Sequence, residues 1–367
     1  MHEDETTQIG IVGLGGIARH HADHLAALQT EGVAAELVGG MDVASEARTS
    51  FADDYGVPTY EDAVDLYDQV DAVIVTTPNR FHEEYVVSAL EAGLDVLVEK
   101  PLAHTLESAE RIAAAAENSE GFCMVGFHNR FAPEVAALKA HIDDDRFGDV
   151  YHVEANYIRR RGIPGRGSWF TDEAVAGGGA LIDIGAHAID LALYLMDFPE
   201  VEEVSGVARS EFGDRDDYTY LNMWGKDGDG DFTVDDSANA LIRCADGRTV
   251  ALETSWASNR PPENTYTIHG TEAGAAVDRK DESLTIYEVE DVGGPQFSDA
   301  TVTTGEEPAH REEQRRFVEA VAAGEAPGTN TVEQALTVQR VMAAIYESSE
   351  TGSAVHPGTA TPVEADD

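Results

Sequence analysis

Short apolar runs alternate with amphipathic stretches through the first third of the chain. The run IGIVGLG at 9–15 predicts a buried strand entering a turn, and 17–28 carries the helical period that should follow it. Further apolar runs at 35–42, 71–78 and 95–101 predict strands, separated by helical stretches at 44–55, 81–92 and 108–117. GFCMVGF at 121–127 completes the set. Strands interleaved with helices form right-handed βαβ units on a parallel sheet. Beyond about residue 128 the texture changes. A helix at 133–142 precedes a strand at 150–159, a Gly/Arg-rich loop and a helix that begins after Gly177-Gly178-Gly179. Period-two alternation then dominates 201–212, 236–258 and 264–291, with ADGR and HGTEAG as hairpin turns. This predicts an open, mainly antiparallel sheet, closed by helices at 311–323 and 331–348. The expected division is a dinucleotide-binding α/β domain over 1–128, a second α/β domain over 129–349, and a poorly ordered tail over 350–367.

Composition narrows the class. The chain has 367 residues, 42% of them hydrophobic, enough for two ordinary cores. No apolar run approaches the roughly 20 residues of a membrane helix, and the acidic opening MHEDETTQ does not resemble a secretory signal. Cys123 and Cys244 are the only cysteines, far apart, which argues against a disulfide framework and for a reducing cytoplasm. With 70 acidic and 24 basic residues the net charge is −46. Such a field repels phosphate backbones and anionic lipid, so neither a nucleic-acid nor a membrane partner is expected. Lysine occurs only at positions 100, 139, 226 and 280. A carboxylate shell with so little lysine fits a protein working in multimolar salt, where ions screen self-repulsion over about 3 Å at 1 M.

The chemistry concentrates in a few places. Gly13-Leu14-Gly15-Gly16-Ile17-Ala18 matches G-x-G-x-x-G/A between a strand and a helix, the pattern that lays a pyrophosphate on a helix N-terminus. The second strand ends in Asp42, where a carboxylate can accept bonds from the adenosine ribose hydroxyls. The third strand runs into Thr76-Thr77-Pro78-Asn79, with His82 following, a loop suited to lie under a cofactor. The fourth ends Glu99-Lys100-Pro101, and a lysine there can bond a substrate hydroxyl and help draw off its proton. Later, Asp183 and His187 stand i, i+4 on one helix, a histidine to take a proton and a carboxylate to orient it. No metal is assigned. A zinc site at that pair lacks further ligands with recognisable spacing. Asp227-Gly228-Asp229-Gly230-Asp231 imitates a calcium loop, but Phe232 and Ala238 occupy the positions that need glycine and glutamate, so it reads as a flexible acidic insertion. His20 and His21 read as packing or surface residues.

Taken in order, GLGGIA, TTPNRFH, VLVEKPLAHT, GFHNRF and GGGALIDIGAHAID resemble the Gfo/Idh/MocA oxidoreductases, over about residues 8–348. The resemblance implies a Rossmann domain and a second α/β domain whose open sheet mediates a homodimer or homotetramer. It implies NAD, with NADP possible, held by Gly13, Gly15, Gly16, Ile17, Asp42, Thr77, Pro78, Asn79, His82, Glu99 and Lys100, with a cis bond before Pro101. It also implies that Lys100, Asp183 and His187 are the catalytic lysine, aspartate and histidine of a sugar or polyol dehydrogenase. Arg130, Tyr157, Arg166 and Trp169 are the expected substrate contacts. Two rivals share this fold: a dinucleotide-binding regulator without turnover, and a glycosidase assisted by tightly held NAD.

Overall fold

The computed structural model describes residues 6–220 and 227–358. The chain opens with β1 (Thr7–Val12), α1 (Gly16–Thr30), β2 (Ala35–Met41), α2 (Ser45–Tyr55), β3 (Thr59–Tyr60), α3 (Ala63–Tyr67) and β4 (Ala72–Val75). It continues through α4 (His82–Glu91), β5 (Asp95–Glu99), α5 (Leu106–Glu117), β6 (Cys123–Gly126) and α6 (Pro133–Asp143). The first six strands form one sheet in the order β3-β2-β1-β4-β5-β6, all pairs parallel. β3 and α3 escape the apolar pattern because each is too short to show a period. The strands are buried on both faces, which is why they read as continuous apolar runs rather than as alternation.

The second part adds β7 (Val150–Ile158), α7 (Glu173–Ala176) and α8 (Ala186–Tyr194). Then follow β8 (Val201–Arg209), β9 (Ser237–Cys244), β10 (Thr249–Ser255), β11 (Glu263–Gly270), β12 (Ala273–Asp278), β13 (Ser283–Asp291) and β14 (Pro295–Val302). Two helices remain, α9 (Ala309–Ala323) and α10 (Val332–Thr351). An eight-stranded sheet runs β14-β13-β12-β11-β7-β10-β9-β8. All its pairs are antiparallel except β7 with β10. Along β7, Val153 and Ala155 are buried while His152 and Glu154 point to the other, more open face. β14 escaped the sequence reading; only three apolar residues punctuate it, and Phe297 is 86% exposed.

The compact units are not the contiguous segments expected from the change of texture near residue 128. One comprises the chain up to Ala136 together with Glu173–Gly177 and Thr304–Leu336; the other comprises Ala137–Asp172, Gly178–Thr303 and the chain from Thr337. The reason is visible in the first core, where Phe317 and Val318 of α9 pack with Ile9, Ile11, Ile74 and Leu97. Asn330 adds to this by bonding the Val125 carbonyl through Nδ2 at 2.9 Å. The segment expected to be a loose tail from residue 350 instead finishes α10, and Val355 exchanges two 2.8 Å backbone bonds with Val204. Residues 359–367 of that expectation lie outside the described residues. The acidic stretch expected to be flexible is pinned: Gly228 donates to the Arg166 carbonyl at 2.6 Å and Gly230 to that of Gly167 at 3.1 Å. One helical stretch, Glu173–Tyr194, is apolar and long enough to cross a membrane, but 83% of its most apolar window is buried within the protein, as befits a core helix.

Candidate active site

In the first unit, β1 delivers the chain into a turn that only glycine can make. Gly13 adopts φ +88°, and a Cβ there would lie 2.9 Å from the Thr77 amide nitrogen. Gly15 caps α1 without a side chain, and no acidic residue stands in the first turn. A Cβ on Gly15 or Gly16 would meet nothing within 4 Å, so this helix end opens on free space. Ile17 is half-buried and Ala18 fully buried against the sheet. Asp42, directly after β2, accepts the Leu14 N–H on one carboxylate oxygen and the Ala44 N–H on the other, each at 2.8 Å. It ties β2 to the glycine turn while both oxygens retain a lone pair. Arg48 of α2 donates to the carbonyls of Asp42 at 2.7 Å and Val43 at 3.0 Å, and to Glu61 Oε2 at 3.1 Å.

The loop after β4 holds the turn from the other side. Thr76 Oγ1 donates to the Gly13 carbonyl at 2.5 Å. Thr77 Oγ1 is shut off from solvent with no hydrogen-bond partner among the described residues. Pro78 is half-buried beside it. Two neighbours expected at the cofactor are tied to backbone carbonyls of the protein itself. Asn79 Nδ2 donates to the Ala176 carbonyl at 2.8 Å. His82 is 1% exposed, with Nδ1 at 2.9 Å from the Pro101 carbonyl and Nε2 at 2.9 Å from that of Thr77. Burial pushes its pKa down, against the pull of those carbonyls. A neutral ring donates to one at a time. His82 thus ties the loops after β4 and β5 together and leaves no ring nitrogen for a cofactor.

β5 ends Glu99-Lys100-Pro101, with a cis bond before Pro101 as expected. Glu99 Oε1 lies 2.8 Å from His21 Nε2, and Oε2 accepts the Lys100 backbone N–H at 3.2 Å. Burial alone would raise the Glu99 pKa. The His21 hydrogen bond and the charges of His21, His310 and Lys100 outweigh it and hold the carboxyl down to about 2. A permanent anion therefore adjoins Lys100. His21 is buried, and its ring and backbone carbonyl also meet Gln314 of α9. Its partners sit 78 and 293 residues away, which is why local sequence assigned it to packing. Arg130 was expected at the substrate; it is 2% exposed, its guanidinium bonded to Gln334 at 2.5 Å and placed 5.7 Å from the Phe127 ring centroid. It packs the first unit.

In the second unit, the glycine triplet leads into a wide turn rather than the regular helix expected. Residues Leu181–Gly185 form a π-turn, in which the Ala186 N–H reaches back to the Leu181 carbonyl, before α8 begins. Such turns recur at functional sites. Asp235 anchors the entrance, accepting the N–H groups of Gly179 at 2.7 Å and Leu181 at 2.9 Å and the Tyr346 hydroxyl at 2.6 Å. A Cβ on Gly179 would strike the Asp235 carbonyl oxygen at 1.8 Å. Asp183 and His187 are both buried on this segment, at 8% and 6% exposure. Asp183 Oδ2 accepts Trp256 Nε1 at 2.8 Å and pairs with Arg159 Nη1 at 3.4 Å. Trp256, at the end of β10, is fully buried. Neither Trp256 nor Arg159 belongs to a recognisable local motif, and only the pairing of β7 with β10 brings them to one carboxylate. Of the remaining expected substrate residues, Tyr157 lies with its ring centroid 5.6 Å from the Arg159 guanidinium. Arg166 is held by the Arg215 carbonyl at 3.2 Å and the Tyr218 ring at 5.2 Å. Trp169 stacks on Phe170 at 3.8 Å.

A helix N-terminus facing open space, an orphaned Thr77 hydroxyl beside it and a carboxylate with spare lone pairs after β2 fit a dinucleotide's pyrophosphate and ribose. The sheet order and this cradle define a dinucleotide-binding oxidoreductase. Residues 7–127 match the model of the oxidoreductase family with an NAD-binding Rossmann fold, and residues 135–276 match that of the GFO/IDH/MocA C-terminal domain. The chain is 30% identical to D-glucoside 3-dehydrogenase of Escherichia coli, over 95% of this chain and 97% of that one. It is 29% identical to levoglucosan dehydrogenase of Pseudarthrobacter phenanthrenivorans, over 83% and 82%. The solved structure of a levoglucosan dehydrogenase with NADH and L-sorbose superimposes with a TM-score of 0.83 at 25% identity, over 96% of this chain and 98% of that one. The chain belongs to the Gfo/Idh/MocA oxidoreductase family, with an NAD-binding Rossmann domain.

Proposed function

We propose that the protein oxidises a secondary ring hydroxyl of a sugar or glycoside, with the 3-hydroxyl of a glucopyranoside as the first position to try. The observation that carries this is Asp183, a buried carboxylate fixed by Trp256 and Arg159 four residues before His187. A carboxylate so held keeps a neighbouring imidazole oriented and favours its protonated form. His187 takes the hydroxyl proton as Asp183 steadies the charge that results. Lys100, next to the Glu99 carboxylate, stabilises the oxygen as negative charge grows on it. When bound, the nicotinamide supplies the hydride acceptor. The position of attack is supported by the names of the relatives, which include D-glucoside 3-dehydrogenase and a glucose-6-phosphate 3-dehydrogenase from Bacillus subtilis.

Copies of the chain associate through the open face of the eight-stranded sheet in this reading, supported by the exposure of Val207, Leu241, Tyr287 and Val289 on its strands. A cytoplasmic setting is supported by two buried cysteines that are not bridged. The test of function is initial rates in 3 M KCl on methyl glucosides, levoglucosan, pentoses and inositols with NAD and NADP, followed by NMR assignment of the new carbonyl carbon. A 3-keto product with net NADH release is expected. No turnover on any ring substrate, or retained cofactor without NADH release, overturns it.

A further inference from the structure

The inward-facing residues of β7 and β11 serve the core, whereas the opposite face carries a group with no part in the chemistry above. Antiparallel pairing sets His269 directly opposite His152, and Glu154 lies two residues along β7 on the same face. One donor atom from each of His152, Glu154 and His269 lies within 4.8 Å of the others. Val153 and Ile268 between them point the other way and are fully buried, so the backbone under the cluster is rigidly held.

The hydrogen bonds around the three side chains leave donor atoms turned toward one another. His152 Nδ1 meets Thr249 Oγ1 at 2.8 Å, on the strand paired to the other side of β7. When the ring donates there, Nε2 keeps its lone pair, the usual arrangement of a metal-bound imidazole and its outer partner. His269 Nε2 is shut off from solvent and makes no hydrogen bond among the described residues. Its neighbour is Glu154 Oε1 at 3.4 Å, a distance typical of two donors that share one ion rather than a proton. In the single chain the side chains of His269 and Glu154 are 36% and 47% exposed, on the sheet face through which copies associate in the reading above.

We propose that His152, Glu154 and His269 bind one divalent first-row transition ion of the zinc type, completed by water, pinning β7 to β11 at the middle of the sheet. Bonds of about 2.0–2.2 Å to nitrogen and oxygen place tetrahedral ligands about 3.4 Å apart, so donors within 4.8 Å of one another close by at most about 1.4 Å. Two imidazoles exclude magnesium and calcium as the preferred ion. The sequence reading assigned no metal, because the ligands lie on two strands more than a hundred residues apart and form no spaced motif.

The test is titration of the full-length protein with Zn²⁺, and with Co²⁺ for its visible spectrum, in 3 M KCl. High salt suppresses diffuse binding by the acidic shell. One equivalent per chain should bind, with tetrahedral Co²⁺ absorption and a raised Tm. Both His269→Asn and Glu154→Gln should weaken binding at least tenfold and abolish the spectrum while sugar oxidation persists. Glu154→Gln, the gentler change, reports on the site if His269→Asn disturbs folding. Equal metal binding by wild type and both variants, or a Co²⁺ spectrum of carboxylate and water only, overturns the proposal.

Discussion

Asp42→Asn should reverse much of the enzyme's preference between NAD and NADP. Asp42 accepts N–H groups of the glycine turn and of Ala44, each at 2.8 Å, and in the cofactor site proposed here its negative charge faces the ribose. An amide has one acceptor oxygen, so one of those N–H groups would face the NH₂ and lose its partner, a cost of about 1–3 kcal/mol. That part weakens both cofactors. The charge acts on one of them only. A carboxylate about 4 Å from a 2′-phosphate repels it by about 4 kcal/mol per unit charge pair at an effective dielectric near 20, less in concentrated salt. Wild type should therefore prefer NAD. In the variant, kcat/KM for NAD should fall about 10- to 100-fold, while that for NADP should hold or rise. Glu61→Gln added to it should push further towards NADP, by loosening Arg48 from its 3.1 Å bond to Glu61. The assay is kcat/KM for both cofactors on one saturating sugar in 3 M KCl. If the two values fall by the same factor, Asp42 shapes the turn and reads nothing.

Lys100→Met should lower kcat about 10²–10³-fold with little change in NAD affinity measured by fluorescence quenching; activity within a few-fold of wild type removes it from the reaction. Trp256→Phe deletes a charge-assisted bond to Asp183 worth about 1.5–3 kcal/mol. It should cut kcat at least tenfold and move the limb of kcat against pH, whereas mere loss of packing would lower kcat equally at every pH. Acid should destabilise the fold through His310, whose ring packs against those of His20, His24 and His128. Burial holds His310 down to about 3 from its ordinary 6.5, aided by His21, His20 and His24 against Glu99, so below pH 6.5 the unfolded chain takes up a proton that the folded one refuses. Stability thus falls from pH 6.5 towards 3, and urea midpoints from pH 8 to 5 should flatten in His310→Gln; an unchanged slope refutes this. Net charge −46 predicts a Tm that climbs between 0.1 and 3 M KCl, and a salt-independent midpoint would make the acidity incidental.

The alternation of apolar runs placed five of the six strands of the first sheet, and the glycine turn, Asp42 and the Glu99-Lys100-Pro101 end were legible because each is a local consequence of a strand meeting a helix. What stayed hidden depends on pairing across distance. His82 looked like a cofactor contact because its loop lies against the glycine turn, yet its ring is spent on the Thr77 and Pro101 carbonyls. Arg130 looked free because nothing nearby in sequence announces Gln334. Trp256 and Arg159 flank β10 and β7, and their convergence on Asp183 follows from strand register alone. The wide turn at Leu181–Gly185 has no sequence period of its own, so i, i+4 spacing concealed it.

The return of α9 to the first unit has a consequence for synthesis. A ribosome releases β1 to β6 early, and domains made first commonly fold first. Here the hydrophobic set around Ile9, Ile11 and Leu97 lacks Phe317 and Val318 until α9 is made. Glu31 likewise waits for Arg315, 2.6 Å away in the finished fold. The unit that holds β1 to β6 is therefore completed only after most of the other has been translated. A chain arrested before α9 would leave the apolar side chains of Ile9, Ile11 and Leu97 without the partners that complete their core.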